Sequence, residues 1–163
     1  MKRIENLFNK NDLGKIKSFI DYKNQRSWVF HSSNYVNPSY FFASNLKPNE
    51  LLFFLPYVKP LLSLVDKNND YKFLRGYINC NPPTIQGDWH IDDGTFTVLY
   101  YPMSDYAYIN EGGTEFLDRE TEPYINNSAL IFPAHIKHRS QDHNNKNYRF
   151  SFAFKFALVN ESY

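Results

Sequence analysis

The sequence predicts a mainly β protein, a sandwich or barrel of short strands with helices laid over one sheet from outside. Three observations lead there. Apolar spacing is helical before about residue 70 and strand-like after it. Beyond that point, short candidate strands alternate with turn signals, the pattern of sandwiches and barrels. Aromatic residues make up 18% of the chain, and bulky rings fit pleated surfaces.

Taken in order, Asn11 or Asp12 is placed to cap a short helix with Leu13, Ile16 and Ile20 on one face. A second helical zone begins at Pro48, a residue suited to a first turn. Its apolar face is Leu51, Phe54, Leu55, Val58, Leu62 and Val65. Pro56 and Pro60 must kink or divide it, because each lacks an amide donor and crowds the preceding turn. The segment between, 27–47, is irregular, aromatic and rich in Asn and Ser. Candidate strands follow at 71–79, 88–92, 95–101, 114–117, 128–132 and 147–158. Asn-Pro-Pro (81–83), Asp-Gly (93–94), Gly-Gly (112–113) and Asn-Asn (126–127, 144–145) punctuate them. The reading is one domain over 1–163, with 1–70 a helical and irregular buttress and 71–158 the β core.

Bulk properties narrow the function. A formal net charge of +1 argues against a large electrostatic footprint for nucleic acid. The single cysteine, Cys80, rules out an intrachain disulfide and fits a reducing compartment. The first residues, MKRIENLFNK, lack the apolar core of a secretory signal. The most apolar stretch, 51–65, is too short for a bilayer span and carries Lys59 and two prolines. The expectation is a soluble, cytoplasmic protein without a membrane partner.

The chemistry is concentrated in GDWHID (87–92). In a strand, residues two apart share a face, so His90 and Asp92 converge while Trp89 and Ile91 point away. An imidazole and a carboxylate suit a first-row divalent metal and call for a third ligand. His135, His138 and His143 all lie downstream. Two histidines and a carboxylate on one face of the ion leave positions open, as in non-haem Fe(II) oxygenases. A lone His-x-Asp is common by chance, and at least one of His135 and His143 reads as an ordinary loop residue.

The C-terminal strand, NYRFSFAFKFAL, adds a second signal. Phe150, Phe152, Phe154 and Phe156 share one face, facing something apolar such as the 51–65 region. Arg149, Ser151 and Ala153 share the other. A buried guanidinium needs an anionic partner. A ligand carboxylate would serve, with Ser151 adding a donor; an internal Asp or Glu would serve equally.

Between Tyr71 and Leu158 the order His90-x-Asp92, TVLYYPM (97–103), GGTEF (112–116), ALIFPAHIKH (129–138) and Arg149-x-Ser151 resembles the 2-oxoglutarate and Fe(II)-dependent oxygenase superfamily, particularly its prolyl 4-hydroxylase-like branch. The resemblance implies a double-stranded β-helix, a jelly-roll barrel with helices buttressing the larger sheet. It implies His90, Asp92 and His138 as iron ligands. It implies Arg149 and Ser151 on the distal carboxylate of 2-oxoglutarate, with the Tyr100 hydroxyl reaching the same carboxylate and Val98 pointing inward beside it. The implied activity is hydroxylation of an unactivated carbon, a peptidyl proline first, with release of succinate and carbon dioxide and with ascorbate as an auxiliary reductant. Many prolyl hydroxylases carry Lys where this chain has Arg149, and GYINCNPPTIQ fits the pattern poorly; Tyr77 and Asn79 are secondary pocket candidates. The loop 102–113, with Tyr106 and Tyr108, would border the entrance. The competing readings are a non-catalytic cupin-like metal protein, an oxygenase acting on a small molecule, a zinc site on His135, His138 and His143, and nucleic-acid repair.

Overall fold

One strand organises the fold: β10 (Arg149–Leu158), whose side chains alternate between bulky rings and small or polar groups. It lies at the centre of the larger sheet in a computed structural model that describes residues 1–20, 27–32, 40–102, 111–143 and 148–160. Antiparallel partners flank it, β4 (Tyr71–Asn81) on one side and β5 (Phe96–Tyr101) on the other. Outward from β5 come β8 (Ser128–Pro133) and then β1 (Lys2–Glu5). Outward from β4 come β3 (Tyr40–Asn45) and β2 (Val29–Ser32), completing seven strands. The smaller sheet has the order β7 (Arg119–Glu122), β6 (Thr114–Phe116), β9 (His138–Ser140).

Helix α1 (Lys10–Ile20) and helix α2 (Pro48–Val58) cover the outer face of the larger sheet. Asn9 caps α1, its side-chain oxygen accepting the amides of Asn11 and Asp12 at 2.9 and 3.0 Å. At α2, Pro48 opens the helix and Glu50 accepts the Lys47 amide at 2.7 Å. A 3-10 helix over Lys59–Leu64 continues beyond α2, so the proline-bearing zone is divided where Pro60 enters. Phe54, fully buried on α2, meets Phe152 and Phe154 with ring centroids 4.8 and 5.3 Å apart. The apolar face of β10 thus has the partner its periodicity demands. A second cluster, Leu99, Tyr101, Phe116, Leu130, Phe132 and Ala153, fills the space between the sheets. Two facing antiparallel sheets with helices outside one of them make a jelly-roll barrel.

The first 70 residues contribute more than a buttress. β1, β2 and β3 extend both edges of the larger sheet. Their periodicity is short and, in β2 and β3, masked by rings on both faces: Phe30 and Phe42 pair at 5.6 Å while Phe41 lines the cleft. The expected strand at 88–92 shrinks to one bridge between His90 and His138. β7 and β9, four and three residues long, are too short to carry a periodic signal. No helix among the described residues is long and apolar enough to cross a membrane.

Candidate metal centre and anion pocket

The site begins with a crossing of two segments. His90 donates its amide to His138 O at 3.0 Å and accepts the His138 amide at 2.9 Å, and the Asp92 amide donates to Ala134 O at 2.9 Å. This ties 90–92 to 134–138 and sets three side chains on one point. The ligand atoms of His90, Asp92 and His138 all lie within 4.8 Å of one another. His138 Nε2 is 3.4 Å from Asp92 Oδ2, and His90 Nε2 is 3.8 Å from Asp92 Oδ1. Each imidazole is fixed from behind: Nδ1 of His90 bonds Asp88 O and Nδ1 of His138 bonds Ile136 O, both at 2.8 Å. A carbonyl only accepts, so Nδ1 donates in each case and Nε2 is the nitrogen that each ring presents to the cluster and would offer to a metal. The donor set fits a divalent first-row ion with open positions.

Exposure differs across the cluster. Asp92 and His138 side chains are 5% and 7% exposed, while that of His90 is 52% exposed, so the site opens past His90. Burial pushes the Asp92 carboxyl up, but bonding to His138 and the charge of Lys155 outweigh it and hold the group well below the usual carboxylate range. Burial also pulls the His90 imidazole below its ordinary value, which keeps it neutral.

A cleft of about 320 Å³ runs from this cluster between the sheets. Along β10 its wall is Arg149, Ser151, Ala153 and Lys155, facing Asn81, Asn79, Tyr77 and Arg75 of β4 in direct register. Arg149 is 8% exposed. Its guanidinium donates to Gly112 O, to Gly113 O at 3.1 Å and to Asn81 Oδ1 at 3.1 Å, and lies over the rings of Tyr101 and Tyr124 at 5.6 and 5.7 Å. These partners are neutral oxygens and π faces. Among the described residues no carboxylate pairs with Arg149, so a buried full charge faces the cleft without an ion-pair partner among them. Both positions demand glycine: a Cβ on Gly113 would stand 2.2 Å from Glu122 O, while Gly112 has φ of +71° and its Cβ would lie 3.2 Å from Arg149 Cδ. Asn79 Oδ1, on the same wall, finds no partner among the described residues.

Tyr100 is not in this pocket. β5 pairs with β10 so that Tyr100 stands opposite Phe152 and Leu99 opposite Ala153. Tyr100 and Val98 therefore share the helix-covered face, where the Tyr100 hydroxyl donates to Asn127 Oδ1 at 3.2 Å. The cleft side belongs to Thr97, Leu99 and Tyr101, whose hydroxyl bonds Thr114 Oγ1 at 2.7 Å. His135 is exposed, and His143 is buried near Gly112 and Arg149; neither joins the cluster of His90, Asp92 and His138. Tyr106 and Tyr108 lie outside the described residues.

Sequence reasoning missed Lys155, Thr97 and Asn81. Lys155 had a signal: the period of two that pairs Arg149 with Ser151 and Ala153 continues to it. Its ammonium donates to Asp92 Oδ2, and Thr97 Oγ1 donates to the same oxygen at 2.6 Å.

No family model and no curated protein sequence matches the chain. Solved structures do. An oxidoreductase of the 2OG-Fe(II) oxygenase family from Burkholderia pseudomallei aligns with a TM-score of 0.72 at 12% identity, over 94% of this chain and 82% of that one. A prolyl hydroxylase from Trichoplax adhaerens, in complex with a hypoxia inducible factor oxygen degradation domain peptide fragment, gives 0.70 at 13%, over 96% and 82%. HygX from Streptomyces hygroscopicus, with nickel, 2-oxoglutarate and hygromycin B bound, gives 0.70 at 12%, over 98% and 83%. The chain has the fold of these 2-oxoglutarate oxygenase structures, prolyl hydroxylases among them. At such identities the likeness is one of fold.

Proposed function

We propose that the protein is a 2-oxoglutarate- and Fe(II)-dependent dioxygenase that hydroxylates an unactivated carbon and releases succinate and carbon dioxide. One observation carries the reading: two imidazoles, each presenting Nε2, and a carboxylate converge in the same cleft as a buried guanidinium with no carboxylate partner among the described residues. Fe(II), held by His90, Asp92 and His138, would supply the oxygen chemistry. Arg149 would take the far carboxylate of 2-oxoglutarate in bidentate fashion, with Ser151, 1% exposed beside it, as a second donor. Neutral Gly112, Gly113 and Asn81 oxygens orient that guanidinium without neutralising it, which is what an anion receptor needs.

For the substrate, a prolyl residue in a peptide or protein is the first reading, in line with the peptide held by the Trichoplax enzyme. A small molecule is the second, in line with the hygromycin B held by HygX on the same fold. The test is succinate formation from 2-oxoglutarate under air with Fe(II) and ascorbate. It would be run against proline-containing peptides and free small molecules, beside a His138→Ala control. Stimulated succinate release in the native protein alone supports the reading. No metal uptake, with succinate no higher than in the control, sinks it.

A further inference from the structure

We infer that Lys155 is the resident counter-cation of Asp92 and lowers the affinity of the three-residue cluster for divalent metal. The inference rests on the metal-binding reading above. Lys155 is 2% exposed and lies on the cleft face of β10, where its ammonium donates to Asp92 Oδ2 and stands 3.2 Å from Thr97 Oγ1. The Thr97 hydroxyl donates to the same Oδ2, and His138 Nε2 approaches it to 3.4 Å. Oδ1 is left facing His90 Nε2. A divalent ion seated between the two imidazoles therefore meets a carboxylate whose charge an ammonium already matches.

Among the described residues Lys155 pairs with no second carboxylate, though the more distant charge of Asp93 also acts on it. Its cross-strand neighbour is Arg75, another cation, which pairs with Asp93 at 2.7 Å. Tyr77, whose ring centroid lies 5.5 Å from the Lys155 ammonium, is neutral. An ammonium this buried is costly unless paired, and its one ion pair in the described structure is Asp92. Without metal, Lys155 keeps Asp92 satisfied and turned toward the histidines. With metal, the same charge repels the ion and shares its ligand. Both effects disfavour loading, so removing the charge should tighten metal binding while weakening the metal-free protein. A group that only orients Asp92 would act in the opposite direction.

The experiment titrates native protein and Lys155→Met with Mn(II) alone by calorimetry, and records thermal unfolding with and without Mn(II). The expected result is a dissociation constant about tenfold or more lower in Lys155→Met, a lower metal-free Tm and a larger metal-induced Tm shift. Lys155→Arg should return affinity to the native value. Thr97→Val, which removes a neutral donor from the same oxygen, should not tighten binding. If Lys155→Met is unfolded without metal, refolding by Mn(II) supports the inference and failure to refold at saturating Mn(II) overturns it. Affinity equal to or weaker than native in a folded Lys155→Met also overturns it. Native protein that binds no Mn(II) overturns the oxygenase reading as well, and so separates the two failures.

Discussion

His90 and His138 face each other across a single antiparallel bridge, exchanging amide and carbonyl, with their rings 4.4 Å apart. Each ring is also anchored to the carbonyl two residues before it. The two halves of the cluster are thus held by backbone bonds, and the imidazoles are oriented before any ion arrives.

That preorganisation makes the ligands separable by stability. His90→Ala, Asp92→Ala and His138→Ala should each abolish metal uptake, measured by metal analysis and calorimetry. Asp92→Ala should additionally destabilise the metal-free protein by about 3–5 kcal/mol, because it strands the buried Lys155 ammonium. His90→Ala removes a half-exposed ring and should change urea unfolding little.

Arg149→Ala should raise the 2-oxoglutarate concentration needed for half-maximal turnover at least tenfold while leaving metal occupancy intact. Tyr100→Phe should leave that concentration unchanged, since its hydroxyl lies on the far side of the sheet. An effect of Tyr100→Phe as large as that of Arg149→Ala would contradict the register of β5 on β10.

Gly113→Ala should cost about 1–3 kcal/mol, because its Cβ would collide with Glu122 O and the backbone must yield. The same shift moves the carbonyl that accepts from Arg149, so the 2-oxoglutarate requirement should rise alongside the fall in Tm.

Burial pushes the Cys80 thiol up to about 12, from an ordinary value near 9.0. Between those values the folded protein holds a proton that the unfolded chain releases, so this group's share of stability falls as pH rises from 9.0 toward about 12. Urea unfolding should show the decline, and Cys80→Ala should remove its onset between pH 9.0 and 10.0, below the range where buried Tyr77, Tyr100, Tyr101 and Tyr124, also pushed up by burial, add their own. At pH 8 the native thiol should resist a disulfide reagent that labels it promptly in urea.

Much of this was legible in the residues. The alternation of rings with Arg149, Ser151 and Ala153 foretold a strand with one packed face and one cleft face, and Phe54 supplies the packing. The Gly-Gly at 112–113 was legible as a turn but not as the receptor for Arg149, because carbonyl contacts leave no trace in residue type. β1 and β2, four residues each, were hidden because so few residues cannot display a period.

By itself, the sequence determined the spacing of His90 and Asp92, the two-faced character of β10 and the order of the segments that make a jelly roll. The structure brings to that pair His138, the histidine the resemblance implied, and it alone decided which face of β5 lines the cleft and where the Lys155 charge goes. The reason is physical. A period of two fixes which residues share a face, but strand pairing decides which face is inside, and contacts between distant segments decide what each buried charge meets.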